Sequence, residues 1–435
     1  MESFFLNRYP KAILHIDGDS FFASCEIAQR PNLKGLPVVT GRERGIASSM
    51  SYEAKALGVT RGMSVYEIKK ICPNVVILPS DYETYSLYSK RMYEIVRRYT
   101  PEVEEYSIDE CFADITGTRR IHHASYQKIA EKIKNELQNE LGITFSVGLS
   151  ATKVLAKIGS KWQKPDGLVF IPLKDAPAFL RKTNVGKIWG IGPQTSALLN
   201  KKKIYTAYDL ATAKEEYIKT FLSKPFTEIW RELRGEAVYS VKAGEKNIYK
   251  SISKTRTFTP ESNDRKRVFA ELSKNIENAC IKARRHHLSS DRVFLFLKSN
   301  AFKYCALEIK LSIPTNTPSG IVVEADKVFN KIFNENTKYR ATGVVLSNLR
   351  ESKIHQASLF GESVQRENDT KIYEVVDKIS AKYGKHSLFL GSSYEAMVAP
   401  SHRGRRGEGA KRKDIIFKGE TKRKRVNFPY LGEVV

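Results

Sequence analysis

An α/β amino-terminal region followed by a separate α+β domain is the architecture this sequence predicts, and three observations predict it. From residue 11 to about 171, short apolar runs that end in turn residues alternate with helix-period segments. A helical stretch follows. From about residue 248, four strand candidates are separated by two helical segments. At 435 residues the chain is longer than a single core supports, so several domains are expected.

The elements run as follows. "KAILHIDGD" is a short buried strand ending in acids and glycine, and "SFFASCEIA" continues it as the start of an amphipathic helix. "LPVVTG" and "GIASSMSYEAKALG" give two short strands and a small helix. "SVYEIKKICPNVVILP" adds a helix and a strand, so residues 22–80 form a small insertion. A helix over about 81–99 leads into "EEYSIDECFADITG". Side chains on a strand alternate between faces, so the adjacent acids Asp109 and Glu110 fit poorly in one continuous strand. The segment is therefore read as a hairpin, with Ile108, Asp109 and Glu110 at its tight connection. A helix from Ser125 to Leu141 and the strand "TFSVGLS" follow. After "KWQKPDGLVFI" the chain becomes helical, which sets a boundary near 172. In the third unit "KTRTFTP", "DRVFLFLKSN", "YCALEIKLSI" and "RATGVVLSNL" are the strands, with helices near 266–287 and 320–334. Beyond Arg350 come "HQASLFGE", one helix "DTKIYEVVDKISAKYG" and a basic tail. No internal repeat is visible.

Composition narrows the function classes. An apolar fraction of 41% supports packed cores, and 28% of residues are charged. Lys and Arg number 73 against 48 Asp and Glu, a net charge of +25, which makes a polyanion the first partner to consider. Residues 401–435 carry eleven Lys/Arg and four Asp/Glu, so the tail accounts for only part of the surplus. The five cysteines are odd in number and form no CxxC pair, which argues against a disulfide framework and against zinc. The sequence holds no apolar run of transmembrane length and no secretory leader pattern, so the expectation is a cytoplasmic protein without a membrane partner.

The acids point to metal chemistry. Asp17 closes a buried strand, and Asp109 and Glu110 sit at the hairpin connection. Three carboxylates at one sheet edge repel one another unless cations offset the charge. Oxygen-only ligands suit Mg²⁺, which keeps waters and phosphate oxygens in its remaining positions. Two such ions would clamp the attacking and leaving oxygens of a phosphoryl displacement. The plainer alternative, acids solvated at turns, holds for any one of them taken singly.

"HIDGDSFFASCE", "SYEAKALGVTRGMS", "YSIDECFADIT", "SVGLSATKVLAKIGSKWQKPDG" and "IWGIGPQTSALL" occur in an order and spacing that resembles the Y-family translesion DNA polymerases of the DinB/UmuC type. The resemblance runs from about residue 11 to 350. It implies a right-hand polymerase: palm at 10–21 and 81–172, fingers at 22–80, a thumb with a helix-hairpin-helix at 173–247, and a little finger at 248–352. Residues 353–435 would hold a clamp-binding peptide, a helix and the basic tail. The activity implied is template-directed, error-prone extension of a primer 3′-hydroxyl from dNTPs, with two Mg²⁺ ions and primer–template DNA as partner. The chain would act as a monomer, with an accessory subunit possible.

The resemblance also implies roles. Asp17, Asp109 and Glu110 are the catalytic, metal-binding carboxylates, with the backbone carbonyl of Gly18 as a further ligand; Asp19 is expected to be a structural turn acid. Ser49, Tyr52 and Lys55 bind the β and γ phosphates near a helix start, where N–H groups favour anions. Lys55 stands where DinB-type members usually have Arg, so it offers a point charge without a fork. Lys164 reaches back to the triphosphate. Phe22 is the steric gate against a 2′-hydroxyl, while Phe21 is expected in the core. Ile46 and Ser48 lie over the nascent base pair. Gly190 and Gly192 form the phosphate-binding hairpin, with Pro193 opening the next helix. Lys250, Lys254 and Arg256 lie beside DNA, with Lys254 and Arg256 on one strand face. Gln356, Leu359 and Phe360 in "QASLF" dock on a sliding clamp. The alternatives are a catalytically silent relative that scaffolds DNA and clamp, and another two-metal enzyme such as a nucleotide cyclase; neither explains all of these features.

Overall fold

The computed structural model describes residues 11–243, 249–352, 362–383 and 386–398. They fall into two compact units, one of residues 11–42 with 46–243 and one of residues 249–398.

In the first unit the chain order is β1 (Ile13–Gly18), α1 (Phe21–Gln29), β2 (Val38–Thr40), β3 (Ser49–Met50), α2 (Tyr52–Ala56), α3 (Val65–Ile71), β4 (Val76–Leu78), α4 (Tyr82–Arg97), β5 (Val103–Ser107), β6 (Glu110–Asp114), α5 (Tyr126–Leu141), β7 (Phe145–Ser150), α6 (Lys153–Trp162) and β8 (Leu168–Ile171). The main sheet is ordered β5-β6-β1-β7-β8, and a small sheet is ordered β3-β2-β4. The alternation along the chain does not produce a parallel sheet. In the main sheet β5–β6, β6–β1 and β1–β7 are antiparallel and β7–β8 is parallel; in the small sheet β2–β4 is parallel as well.

The two faces of this sheet divide by strand alternation. Leu14 and Ile16 of β1, with Cys111, Ala113, Phe145 and Val147, enter the core under α4 and α5. Ile13, His15 and Asp17 point the other way, toward α6, where Ile13 meets Phe112 and Ala156. A pair of glycines sets the approach of that helix. A Cβ on Gly148 would lie 2.0 Å from the Ala156 carbonyl oxygen and 2.4 Å from the Ser160 nitrogen, so α6 rests directly on β7.

Neither α6 nor β8 was expected from periodicity. In "TKVLAKIGSKW" the lysines interrupt the apolar stripe, although Thr152 caps the helix by accepting from the Leu155 amide at 3.3 Å. The expected hairpin between the acids is present, with a tighter turn. Only Ile108 and Asp109 form it; Glu110 is already strand, paired with Asp17 and with Ser107. A bulge supplies the reason: the register shifts between Glu105 and Ser107, which leaves Tyr106 unpaired and re-aimed.

The unit continues with α7 (Ala176–Lys182), α8 (Pro193–Lys201), α9 (Ala207–Thr212), α10 (Glu215–Lys219) and α11 (Lys224–Leu233). Their apolar faces share one cluster with Val154, Leu155 and Ile158 of α6, including Leu180, Leu199, Leu210 and Trp230.

The second unit holds β9 (Ser251–Ser262), α12 (Arg265–Arg285), β10 (Leu288–Ser299), β11 (Tyr304–Thr315), α13 (Pro318–Phe329), β12 (Tyr339–Glu351), α14 (Glu362–Tyr383) and α15 (Tyr394–Val398). Its antiparallel sheet, β11-β10-β12-β9, packs on α12 and α13 through Val293, Leu295, Val344, Leu272 and Ile321. The four strands and two helices expected here are all found. The last long helix starts earlier than its apolar pattern indicates, at Glu362. Arg284 reaches Asp377 with Nε at 2.7 Å and a second nitrogen at 2.8 Å, a bidentate pair that fixes α14 on α12.

Candidate active site

Antiparallel pairing places Asp17 directly opposite Glu110, so their side chains leave the same face at the sheet end. His15, two residues earlier on that face, completes the group: ligand atoms of His15, Asp17 and Glu110 all lie within 4.8 Å of one another. His15 is fully buried, with Nδ1 2.6 Å from Ser160 Oγ and Nε2 3.0 Å from Glu110 Oε2. Lys157 of α6 pairs with the same Oε2, and Lys164 pairs with Asp17 Oδ1.

These contacts set the protonation states. Burial pushes Glu110 up, but the hydrogen bonds from His15 and Lys157 outweigh it and hold the carboxyl down at about 2. Burial lifts Asp17 to about 6 against the opposing pull of Lys164, and the charges of Glu110 and Asp109 add to the rise. Burial also brings His15 down to about 4.

The third expected acid stands apart. The Asp109 carboxylate turns to the Ser107 hydroxyl, and its carbonyl accepts from the Gly18 amide at 2.8 Å. Thus Asp17 and Glu110 converge with His15, while Asp109 is tied to the same spot by its backbone. All contacts on Asp17 and Glu110 among the described residues go to one oxygen of each, leaving Asp17 Oδ2 and Glu110 Oε1 for a ligand. His15 already has partners on both nitrogens, so the donors that remain are oxygens, a set that fits Mg²⁺.

Around these acids lie the groups expected to hold phosphate. Ser20 precedes α1 in left-handed backbone, φ 49°, without capping the helix through its side chain. Lys55 donates to Ser20 Oγ at 2.7 Å and lies 4.0 Å above the Tyr52 ring; Ser49 donates to the Ser20 carbonyl at 3.2 Å. The Tyr52 hydroxyl donates to Asp19 at 3.4 Å. Asp19 is buried and accepts also from Ser146 at 2.8 Å and from the Asp166 amide at 2.8 Å, while Lys164 lies 3.4 Å away. A carboxylate so enclosed anchors the 164–166 loop to β1, the structural part expected of it. Ser49, Tyr52, Lys55 and Lys164 are therefore gathered at the start of α1.

Phe21 is buried, and Gly18 leaves room for it: a Cβ there would sit 2.6 Å from the Phe21 ring. Phe22 is half-buried, stacked on Tyr85 with centroids 4.4 Å apart and edge-on to Tyr82 at 5.5 Å. Ile46 is exposed, whereas Ser48 is tied to Thr40 at 2.9 Å and to Ser80 at 3.2 Å. Gly190 adopts φ +89°, and Gly192 is the N-cap of α8 with Pro193 at its first turn. The loop between α7 and α8 thus turns at Gly190 and enters α8 at Pro193.

One expectation in the second unit needs correction. Lys254 and Arg256 do share a face of β9, but it is the helix-covered face of Ile252 and Phe258. Arg256 lies 3.8 Å from Glu271 of α12, and burial together with Lys282 and Arg285 lowers the pKa of Lys254. The apolar residues, which must face the helices, decide the face, and the cations lie at its rim. The open face presents Ser251, Ser253, Thr255 and Thr257 from β9 and, by register, Arg292, Phe294 and Lys298 from β10. Lys250 is exposed just before β9. Gln356, Leu359 and Phe360 lie outside the described residues.

Sequence reasoning passed over His15, Lys157 and Ser160. The available signal was the lysine spacing 153, 157, 161 on a helix, which aligns one face, opposite Glu104 and Glu110 on neighbouring strands.

Residues 16–161 match the impB/mucB/samB family, and residues 249–359 match the C-terminal domain of that family. Similar curated proteins include a DNA polymerase IV of Lactococcus lactis subsp. cremoris, 33% identical over 349 residues that span 79% of this chain and 95% of the relative. A DNA polymerase IV of Ureaplasma parvum serovar 3 is 29% identical over 358 residues, 81% of this chain and 99% of the relative. Among solved structures, a Y-family DNA polymerase chimera superposes with a TM-score of 0.67 at 24% identity, over 78% of this chain and 98% of its own. The insertion ternary complex of Dbh DNA polymerase gives 0.52 at 24% identity, over 78% and 98%. These two are likenesses of fold. Among the described residues no helix is long and apolar enough to cross a membrane.

Proposed function

This chain belongs to the DinB-type Y family and is a translesion DNA polymerase, and from that premise we propose how its residues divide the work. Asp17 and Glu110, with the Gly18 carbonyl and Asp109 at the turn, hold two Mg²⁺ ions. When bound, the ions supply activation of the primer 3′-hydroxyl and neutralisation of the triphosphate. The observation that supports this is the register of β1 on β6, which sets two carboxylates side by side with the contacts among the described residues on one oxygen of each.

The nucleotide's phosphates lie at the start of α1. Its first-turn N–H groups have no intrahelical partners, and Ser49, Tyr52 and Lys55 surround Ser20. Lys164, paired with Asp17 in the metal-free protein, would serve the triphosphate once bound cations neutralise that acid. Phe22, braced by Tyr85 and Tyr82, lies beneath the sugar and rejects a 2′-hydroxyl. Ile46, exposed and of moderate size, covers the nascent base pair with Ser48 beside it.

In this reading residues 10–21 and 81–172 are the palm, 22–80 the fingers, 173–247 the thumb and 248–352 the little finger. The Gly190–Gly192 hairpin grips phosphate through backbone N–H groups. Lys250 and the basic rim of Lys254, Lys282 and Arg285 add contacts whose affinity weakens with salt. Residues 356–360 dock a sliding clamp.

The test is primer extension with Mg²⁺ on undamaged and abasic templates. The native chain should extend both, and Asp109→Ala should extend neither. Undiminished extension by the variant would remove the metal assignment.

A further inference from the structure

Lys157 is 5% exposed, and its Nζ meets a carboxylate on one side and aromatic rings on the others. It lies 4.5 Å from the centroid of Tyr106, 5.5 Å from Trp189 and 5.9 Å from Phe112. The rings hold one another: Trp189 Nε1 donates to the Tyr106 hydroxyl at 2.8 Å, and Phe112 meets Tyr106 edge-on at 5.5 Å. A cation against ring faces is attracted by their quadrupoles, more so when water is excluded. The cage therefore fixes the lysine before any ligand arrives.

His15 completes the grip. Glu110, ionised, can only accept, so His15 Nε2 carries the proton it donates across 3.0 Å. Nδ1 is then an acceptor, and the Ser160 hydroxyl donates to it at 2.6 Å in preference to the Lys157 carbonyl at 3.1 Å. His15 and Lys157 thus converge on a single oxygen, and Ser160 orients His15 from behind. α6 supplies two of the three, seated on β7 by Gly148 and Gly159.

We propose that Lys157, with His15, is a positioning residue: it pins Glu110 through Oε2 so that Oε1 alone is presented to the catalytic cations. A carboxylate free at both oxygens would rotate between presenting one oxygen and the other, so the donor offered to a cation would not be fixed. The positive charge of Lys157 opposes cation binding, so its benefit is geometry. This inference rests on Glu110 being a metal ligand.

The test uses the full chain and Lys157→Met, whose unbranched side chain fits the same cage without charge. The variant should lose about 10- to 100-fold in kcat, the usual effect of removing a group that orients a metal ligand. Its dNTP KM should stay within about twofold, because only an interaction made in the transition state is lost. Mn²⁺ binding followed by electron paramagnetic resonance, in a primer–template complex with a non-hydrolysable dNTP, should be retained, and the melting temperature of the metal-free protein should fall, because Glu110 loses its buried charged partner. A kcat equal to the native value, or loss of activity together with loss of Mn²⁺ binding, overturns the proposal. Should Lys157→Met fail to fold, His15→Gln, which can still donate to Oε2, should be several-fold faster than His15→Leu, which cannot; equal rates would overturn it. A native chain that extends primers beside an equally active Lys157→Met defeats this inference alone, whereas an inactive native chain defeats the polymerase assignment beneath it.

Discussion

Cation uptake at this site should release a proton near pH 6, and Asp17 should be its source. Burial raises this carboxyl from 3.8 to about 6 despite the pull of Lys164, while Glu110 is held at about 2. In the metal-free protein at pH 6, about half of the molecules therefore carry a proton on Asp17 and almost none on Glu110. A divalent ion must displace that proton. Mn²⁺ binding should release about half a proton at pH 6 and less than about 0.1 at pH 7.5, and apparent affinity should fall toward tenfold per pH unit below pH 5. Isothermal titration in buffers of different ionisation enthalpy measures this number directly. Lys164→Met removes a group that lowers the Asp17 pKa, so the release should move to higher pH.

The same shift has a stability consequence with a definite sign. A carboxyl raised in the folded state binds its proton more tightly there than in the unfolded chain. Its contribution is fully present below 3.8 and is lost as pH rises through about 6, so metal-free Asp17→Asn should lack a loss of stability that the native chain shows over that window. Glu110 acts oppositely: its contribution is present above 4.5 and is lost as pH falls toward 2. Absence of proton release at pH 6, or its persistence in Asp17→Asn, would refute the reasoning.

Two further outcomes follow from packing. Phe22→Ala should raise ribonucleotide incorporation at least about tenfold relative to dNTP in single-nucleotide extension assays. Because Phe22 is half-buried against Tyr85, the same change should cost about half of the ~3–5 kcal/mol typical of a buried Phe, measured by denaturant unfolding. Gly148→Ala places a methyl 2.0 Å from the Ala156 carbonyl, where two backbones meet and neither can step aside. It should destabilise by about 3 kcal/mol or more, lower the melting temperature by roughly 6–12 °C, and reduce extension by lifting α6 from the acids.

Legibility varied with the kind of signal. The acids of "HIDGD" and "YSIDE" were legible because a buried strand must end where its polar residues begin, whereas the roles expected of Phe21 and Phe22 came from the family resemblance. Strand alternation correctly paired Lys254 with Arg256, yet it could not name the face, which Ile252 and Phe258 decide by facing α12. The hairpin was legible, but not that Tyr106 is a bulge and Glu110 a strand residue, since a bulge appears only in cross-strand register. α6 was hidden because two of its lysines, Lys153 and Lys157, charged in a one-dimensional reading, are buried by partners distant in sequence.

By itself the sequence determined the chemistry: a basic chain, oxygen donors in place of thiols and imidazoles, glycines where backbone must turn, and a domain order that follows from local periodicity. Those properties are carried by residue type and near neighbours. Tertiary structure alone decided which carboxylates meet. Asp17 and Glu110 converge through β1–β6 register, Asp109 turns to Ser107, and His15, itself held by Ser160, meets Lys157 on one Glu110 oxygen. The reason is physical. A pairwise contact across 95 residues of chain, such as His15 to Glu110, has no local signature; it exists only once β1 pairs with β6 in this register.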